Sequence, residues 1–165
     1  MLRCLLVTLV LLAPVIAFAQ SKTPSIEGVW QIASVVTTGA DAENIPKAQP
    51  SMIIFTKGHY AWVSVNSPAP RAAFAPAKDP RKLTDAEKIA RYEQWAQFTG
   101  QAGTYQISGN TLTLRPTVAK NVAVMTTNPP IVQQLKVEAN KLTLVEKSAA
   151  GQPVSESTAV LTRVE

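Results

Sequence analysis

The side chains able to do chemistry are few, and most gather around one hairpin. The single histidine, His59, precedes Tyr60 in SMIIFTKGHYAWVSV, residues 51–65. An imidazole titrates near neutral pH and can move a proton or donate to a ligand, whereas a lone histidine beside a turn also fits an idle, half-exposed position. Phe55, Tyr60, Trp62 and, further on, Tyr105 could line a cavity whose few polar contacts are the phenol oxygens. The same rings could equally fill a closed core. Arg71, in a proline-rich stretch next to Pro70 and near Phe74, could clamp an anionic head group bidentately, or stand solvated as surface arginines do. Motifs of serine hydrolases, phosphate loops, dinucleotide folds and zinc peptidases do not occur. One histidine excludes a multi-histidine metal site within one chain, and no carboxylates pair as an acid/base couple. No catalytic residue, metal or cofactor is therefore assigned.

The N-terminal stretch stands apart. Arg3 is followed by an apolar run from Cys4, and Ala17-Phe18-Ala19 precedes Gln20. A short apolar run with one basic residue ahead of it and an A-x-A end reads as a secretory signal peptide over 1–19. Residues 20–165 then make one domain. The only cysteine, Cys4, would leave with the leader, so the domain must rest on its core alone. A secreted, disulfide-free chain points to the bacterial periplasm. Formal net charge falls from +5 to +4 once Arg3 is lost. The basic residues are scattered and lack interleaved aromatics, which argues against nucleic acid. No stable membrane insertion is expected after the leader is removed.

Period-two apolar patterns and turn signals recur through most of the domain. Residues 28–36 form a first strand, with Trp30, Ile32 and Val36 on one side and Val29, Ala33 and Val35 on the other. In the hairpin, a two-residue Lys57-Gly58 turn sets Phe55 opposite Tyr60 and Ile53 opposite Trp62, all on one side. Met52, Ile54, Ala61 and Val63 share the other side with His59. Residues 66–80 read as a proline-rich loop. Thr84 and Glu87 form a capping box that opens one helix with Ile89, Tyr92, Ala96 and Trp95 as its apolar side. Gly100 is its expected stop. Strands resume at 103–107, 111–114, 131–138, 142–146 and 157–164. The class is mainly β: sequential antiparallel strands suggest an up-and-down barrel of about eight strands, with a sandwich as the rival and with one helix inserted between strands three and four.

A Gly-x-Trp at the head of strand one (Gly28, Trp30), with an arginine in the last strand (Arg163), resembles the lipocalin-like families. The stretches FTKGHYAWV, Pro70-Arg71 and GQAGTYQISGNTLTLRPTVAKN further resemble a bacterial secreted lipocalin-like domain family. The resemblance implies a structural plug, with Trp30 closing one barrel end under the Arg163 guanidinium, and a small hydrophobic ligand inside. Phe55, His59, Tyr60, Trp62, Arg71 and Tyr105 are the candidate ligand contacts. Two alternatives stay open: a barrel enzyme of isomerase, cyclase or dehydratase type using His59 and Tyr60, and a filled barrel that contacts an envelope protein partner.

Overall fold

A computed structural model describes residues 25–73, 75–126 and 130–165. The expected leader (1–19), Phe74 and Pro129 lie outside the described residues. The strands are β1 (Gly28–Gly39), β2 (Glu43–Ile45), β3 (Met52–Thr56), β4 (His59–Val65), β5 (Phe98–Ser108), β6 (Thr111–Ala119), β7 (Ile131–Glu138), β8 (Lys141–Lys147) and β9 (Ser155–Arg163). Helix α1 (Asp85–Ala96) lies between β4 and β5, and a short α2 (Ala123–Thr126) between β6 and β7. All pairings are antiparallel, and β1 pairs with both β3 and β9. Eight strands therefore close on themselves as an up-and-down lipocalin-like barrel, while β2 pairs with the far end of β1.

Alternation decides what lies inside. On β3 and β4 the partners are Ile53↔Trp62 and Phe55↔Tyr60. Ile53, Phe55 and Tyr60 are buried, whereas Met52 and Val63 on the opposite side are exposed. Ile131, Gln133, Leu135 and Val137 alternate on β7 with exposed Val132, Gln134, Lys136 and Glu138, as a strand with one wet face should. Leu112, Leu114, Leu142, Leu144 and Leu161 complete the core with Trp30, Ile26 and Ile32.

The barrel has two different ends. The turns between β3 and β4, β5 and β6, and β7 and β8 take two residues each, and they sit at the end where Trp30 pairs with Arg163. Longer connections, including residues 66–84, leave the opposite end.

Four sequence expectations need correction. Strand one does not keep a single alternation: the β1–β9 register slips between Ile32 and Ser34. The extra residue, Ala33, turns its carbonyl to the Ala48 amide (2.8 Å). A bulge of this kind inverts the parity beyond it, so Val35 packs on the core and Val36 is exposed. Next, α1 carries the Thr84/Glu87 capping box but ends at Ala96, and Gly100 lies inside β5. The Lys120 ammonium donates to the carbonyls of Trp95, Ala96 and Phe98, which satisfies the helix C-terminus and complements its dipole without a glycine. The side bearing Ile89, Tyr92 and Trp95 does not anchor the core: these residues are 58%, 70% and 57% exposed. Finally, the stretch between strand one and the hairpin, where the sequence pattern predicts no strand, contains the short β2, held on β1 by Val35↔Ile45.

Candidate functional site

At the Trp30 end the barrel is shut. The Arg163 guanidinium carbon lies 4.2 Å from the Trp30 ring centroid, and the indole N–H donates to the Ile26 carbonyl (2.8 Å). Arg163 Nη1 donates to the Glu27 carbonyl (2.6 Å) and Nη2 to the Ser25 carbonyl (3.2 Å). A planar fork can stack and donate to two acceptors at once, which a lysine cannot. Gly28 permits this closeness: it sits at φ +129°, and a Cβ there would meet Arg163 Nη1 at 2.5 Å and press on the Glu165 carbonyl oxygen.

Above the plug the interior is filled. Phe55 packs on Tyr60 (6.5 Å between centroids) and edge-on against Tyr105 (5.2 Å, 79°). The Tyr60 hydroxyl is buried with no hydrogen-bond partner among the described residues, and burial pushes its pKa up to about 12. Burial likewise raises Tyr105. His59 pairs with Thr56 on the exposed outer side of β4. Consecutive strand residues point to opposite faces, so His59 and Tyr60 cannot act on one substrate within the barrel. Arg71 stands on the exposed loop with its guanidinium carbon 5.8 Å from the Phe98 ring centroid.

The buried phenol has a measurable consequence. An unfolded chain ionises Tyr60 near 10.0, whereas the folded one holds the proton to about 12. The contribution to stability is whole below the lower value and is lost as pH rises through this window, because only the unfolded state releases the proton. Tyr60→Phe should flatten that alkaline loss in urea unfolding series. It should also raise stability at neutral pH by roughly 1 kcal/mol, since it deletes a buried hydroxyl without a partner.

The opposite end holds a cavity of about 330 Å³. Ile32, Val35, Ile45, Trp62, Leu144 and Ala159 form its apolar wall. Thr37, Glu43, Ser64, Gln133, Glu146 and Ser157 supply polar groups, and the turn at Ala48, Gln49 and Ser51 edges the mouth. Of the six candidate contacts named from sequence, Trp62 lines this cavity; Phe55, Tyr60, His59, Arg71 and Tyr105 do not. The inverted parity beyond Ala33 is what turns Val35 and Thr37 inward.

The polar groups of the cup are partly satisfied among themselves. Trp62 Nε1 donates to Ser64 Oγ (3.2 Å), which donates to Asn66 Oδ1 (3.2 Å). Thr37 Oγ1 donates to Ser157 Oγ (3.1 Å). Gln133 Nε2 donates to Glu146 Oε2 (2.7 Å), while the Gln133 carbonyl oxygen is buried without a partner. Sequence reasoning missed Gln133 and Glu146. Their signal was a glutamine and a glutamate at positions where alternation demands apolar residues, Gln133 before Leu135 and Glu146 after Leu144.

Compared with family models, with curated proteins and with solved structures, the chain matches none.

Proposed function

We propose that this chain is a secreted lipocalin-like protein of the bacterial periplasm that takes a small, mainly apolar ligand into the open end of its barrel. The observation that carries the reading is the cavity of about 330 Å³ above a filled, plugged base, with an apolar wall and polar groups set among it. Ligand sites combine apolar surface for affinity with placed polar atoms for orientation. Each Å² of apolar ligand surface withdrawn from water contributes about 25 cal/mol. The leader-like residues 1–19 and the absence of cysteine after Cys4 support the compartment. The resemblance of strand one and the last strand to lipocalin-like families supports the class.

Titration with a fluorescent apolar probe tests the reading, together with native mass spectrometry of protein purified from periplasm. Saturable binding at one site per chain is expected. Ala159→Phe should fill the cup and weaken the probe by about tenfold or more, equivalent to about 1.4 kcal/mol, with the circular dichroism of the barrel preserved. A wild-type protein that ignores apolar probes defeats the carrier reading; an Ala159→Phe protein that binds as before places the site elsewhere.

A further inference from the structure

The cup is charged with one sign. Glu43 and Glu146 are among the residues that line it, and among the described residues no lysine, arginine or histidine does. The chain as a whole carries a formal charge of +5, so this local balance opposes the global one. The cationic side chain that the sequence offers for a head group, Arg71, is on the outer loop against Phe98.

Gln133 gives the second, independent indication. It is 3% exposed and lines the cavity. Its amide orientation is set by chemistry: Nε2 must face the Glu146 carboxylate, because only the nitrogen can donate there. The carbonyl oxygen is thereby committed as an acceptor, and it has no donor. A buried acceptor without a donor is costly and favours a group that brings an N–H or O–H. Glu146 lies opposite Gln133 in the β7–β8 ladder, and its carboxylate oxygens are acceptors. A carboxylate ligand would meet two acceptors and a like charge; an ammonium would meet an acceptor and opposite charges.

We infer, on the basis of the ligand-binding reading above, that the cup selects a donor-bearing amphiphile: an apolar chain ending in an ammonium, or less strongly a hydroxyl, and not a fatty carboxylate. The apolar tail lies against Ile32, Trp62, Leu144 and Ala159, and the donor end meets Gln133 and Glu146. Two unit charges near a protein surface interact strongly enough to separate such ligands by an order of magnitude or more.

Three probes of equal tail decide it: octylammonium, octanol and octanoate, each displacing the fluorescent apolar probe from the full-length protein at neutral pH. Octylammonium should bind about tenfold or more tighter than octanoate, with octanol between them. The overall positive charge works against this order, so the preference must be local. Glu146→Gln should weaken octylammonium about fivefold or more and narrow its advantage over octanol. Octanoate binding as well as octylammonium overturns the inference and leaves the carrier reading standing. Failure of all three to displace the bound probe overturns the inference, whereas the carrier reading falls only if the fluorescent probe itself does not bind. An unchanged octylammonium preference in Glu146→Gln also overturns the assignment. The comparison of probes on the unaltered protein needs no variant to fold.

Discussion

Trp30→Ala is expected to cost about 3–5 kcal/mol, the range for truncating a fully buried large aromatic. Trp30 is 0% exposed and sits at the centre of the barrel base. Its loss removes packing against the core and leaves the Arg163 guanidinium without the ring 4.2 Å beneath it. The β1–β9 seam that closes the barrel begins at the Trp30↔Arg163 pair, so the two residues hold the ends of the folded chain together. Arg163→Ala should cost less, roughly 1.5–3 kcal/mol, through its donors to the Glu27 and Ser25 carbonyls and the cation–π contact. Guanidinium unfolding of the two single variants and the double variant gives the coupling, expected at about 0.5–2 kcal/mol. Strict additivity would mean that stacking contributes nothing and that Arg163 acts only through its hydrogen bonds.

Gly103→Ala is expected to destabilise by about 3 kcal/mol, at the upper end for an added methyl in a tightly packed interior. A Cβ at Gly103 would overlap the Arg115 carbonyl oxygen and come within 2.9 Å of the Pro116 Cα. These are backbone atoms of the neighbouring strand, so no side-chain rotation relieves the clash. The closeness follows from the irregular β5–β6 register, where Ala102 pairs with Val118 but Gly103 with Pro116. Thr117 is the extra residue, and Pro116 is tolerated beside it because a bulge does not require every amide of the ladder. Thermal unfolding would measure the loss, and hydrogen exchange should show β5 and β6 opening first. A small change in the melting midpoint would show that the two strands can part without weakening the barrel.

Much of the architecture was legible because it depends on short-range alternation. The hairpin at Lys57-Gly58 fixed Ile53 against Trp62 and Phe55 against Tyr60, since a two-residue turn leaves one register open. Leu135 and Val137 between charged residues announced a strand with one buried face. Thr84 and Glu87 announced a helix start through four adjacent residues that satisfy each other. The helix end was not legible, because the carbonyls of Trp95, Ala96 and Phe98 are satisfied by Lys120, which follows β6 far along the chain. The exposure of Ile89, Tyr92 and Trp95 was not legible either, since amphipathicity says that a face exists and not that anything covers it.

The candidate site marks the boundary more sharply. Sequence patterning by itself determined that antiparallel ribbons would alternate, and that aromatic residues on β3 and β4 would face one another; the β1–β9 pairing closed them into a barrel. Only the tertiary structure decided that those rings fill the base while the ligand-sized space lies at the other end. A bulge at Ala33 inverts the parity of β1, and barrel closure brings Glu43, Ser64, Gln133 and Glu146 from four separate strands to one mouth. Periodicity is a property of neighbours along the chain, whereas convergence is a property of the closed ring, and the polar ends of a cavity are specified by the second.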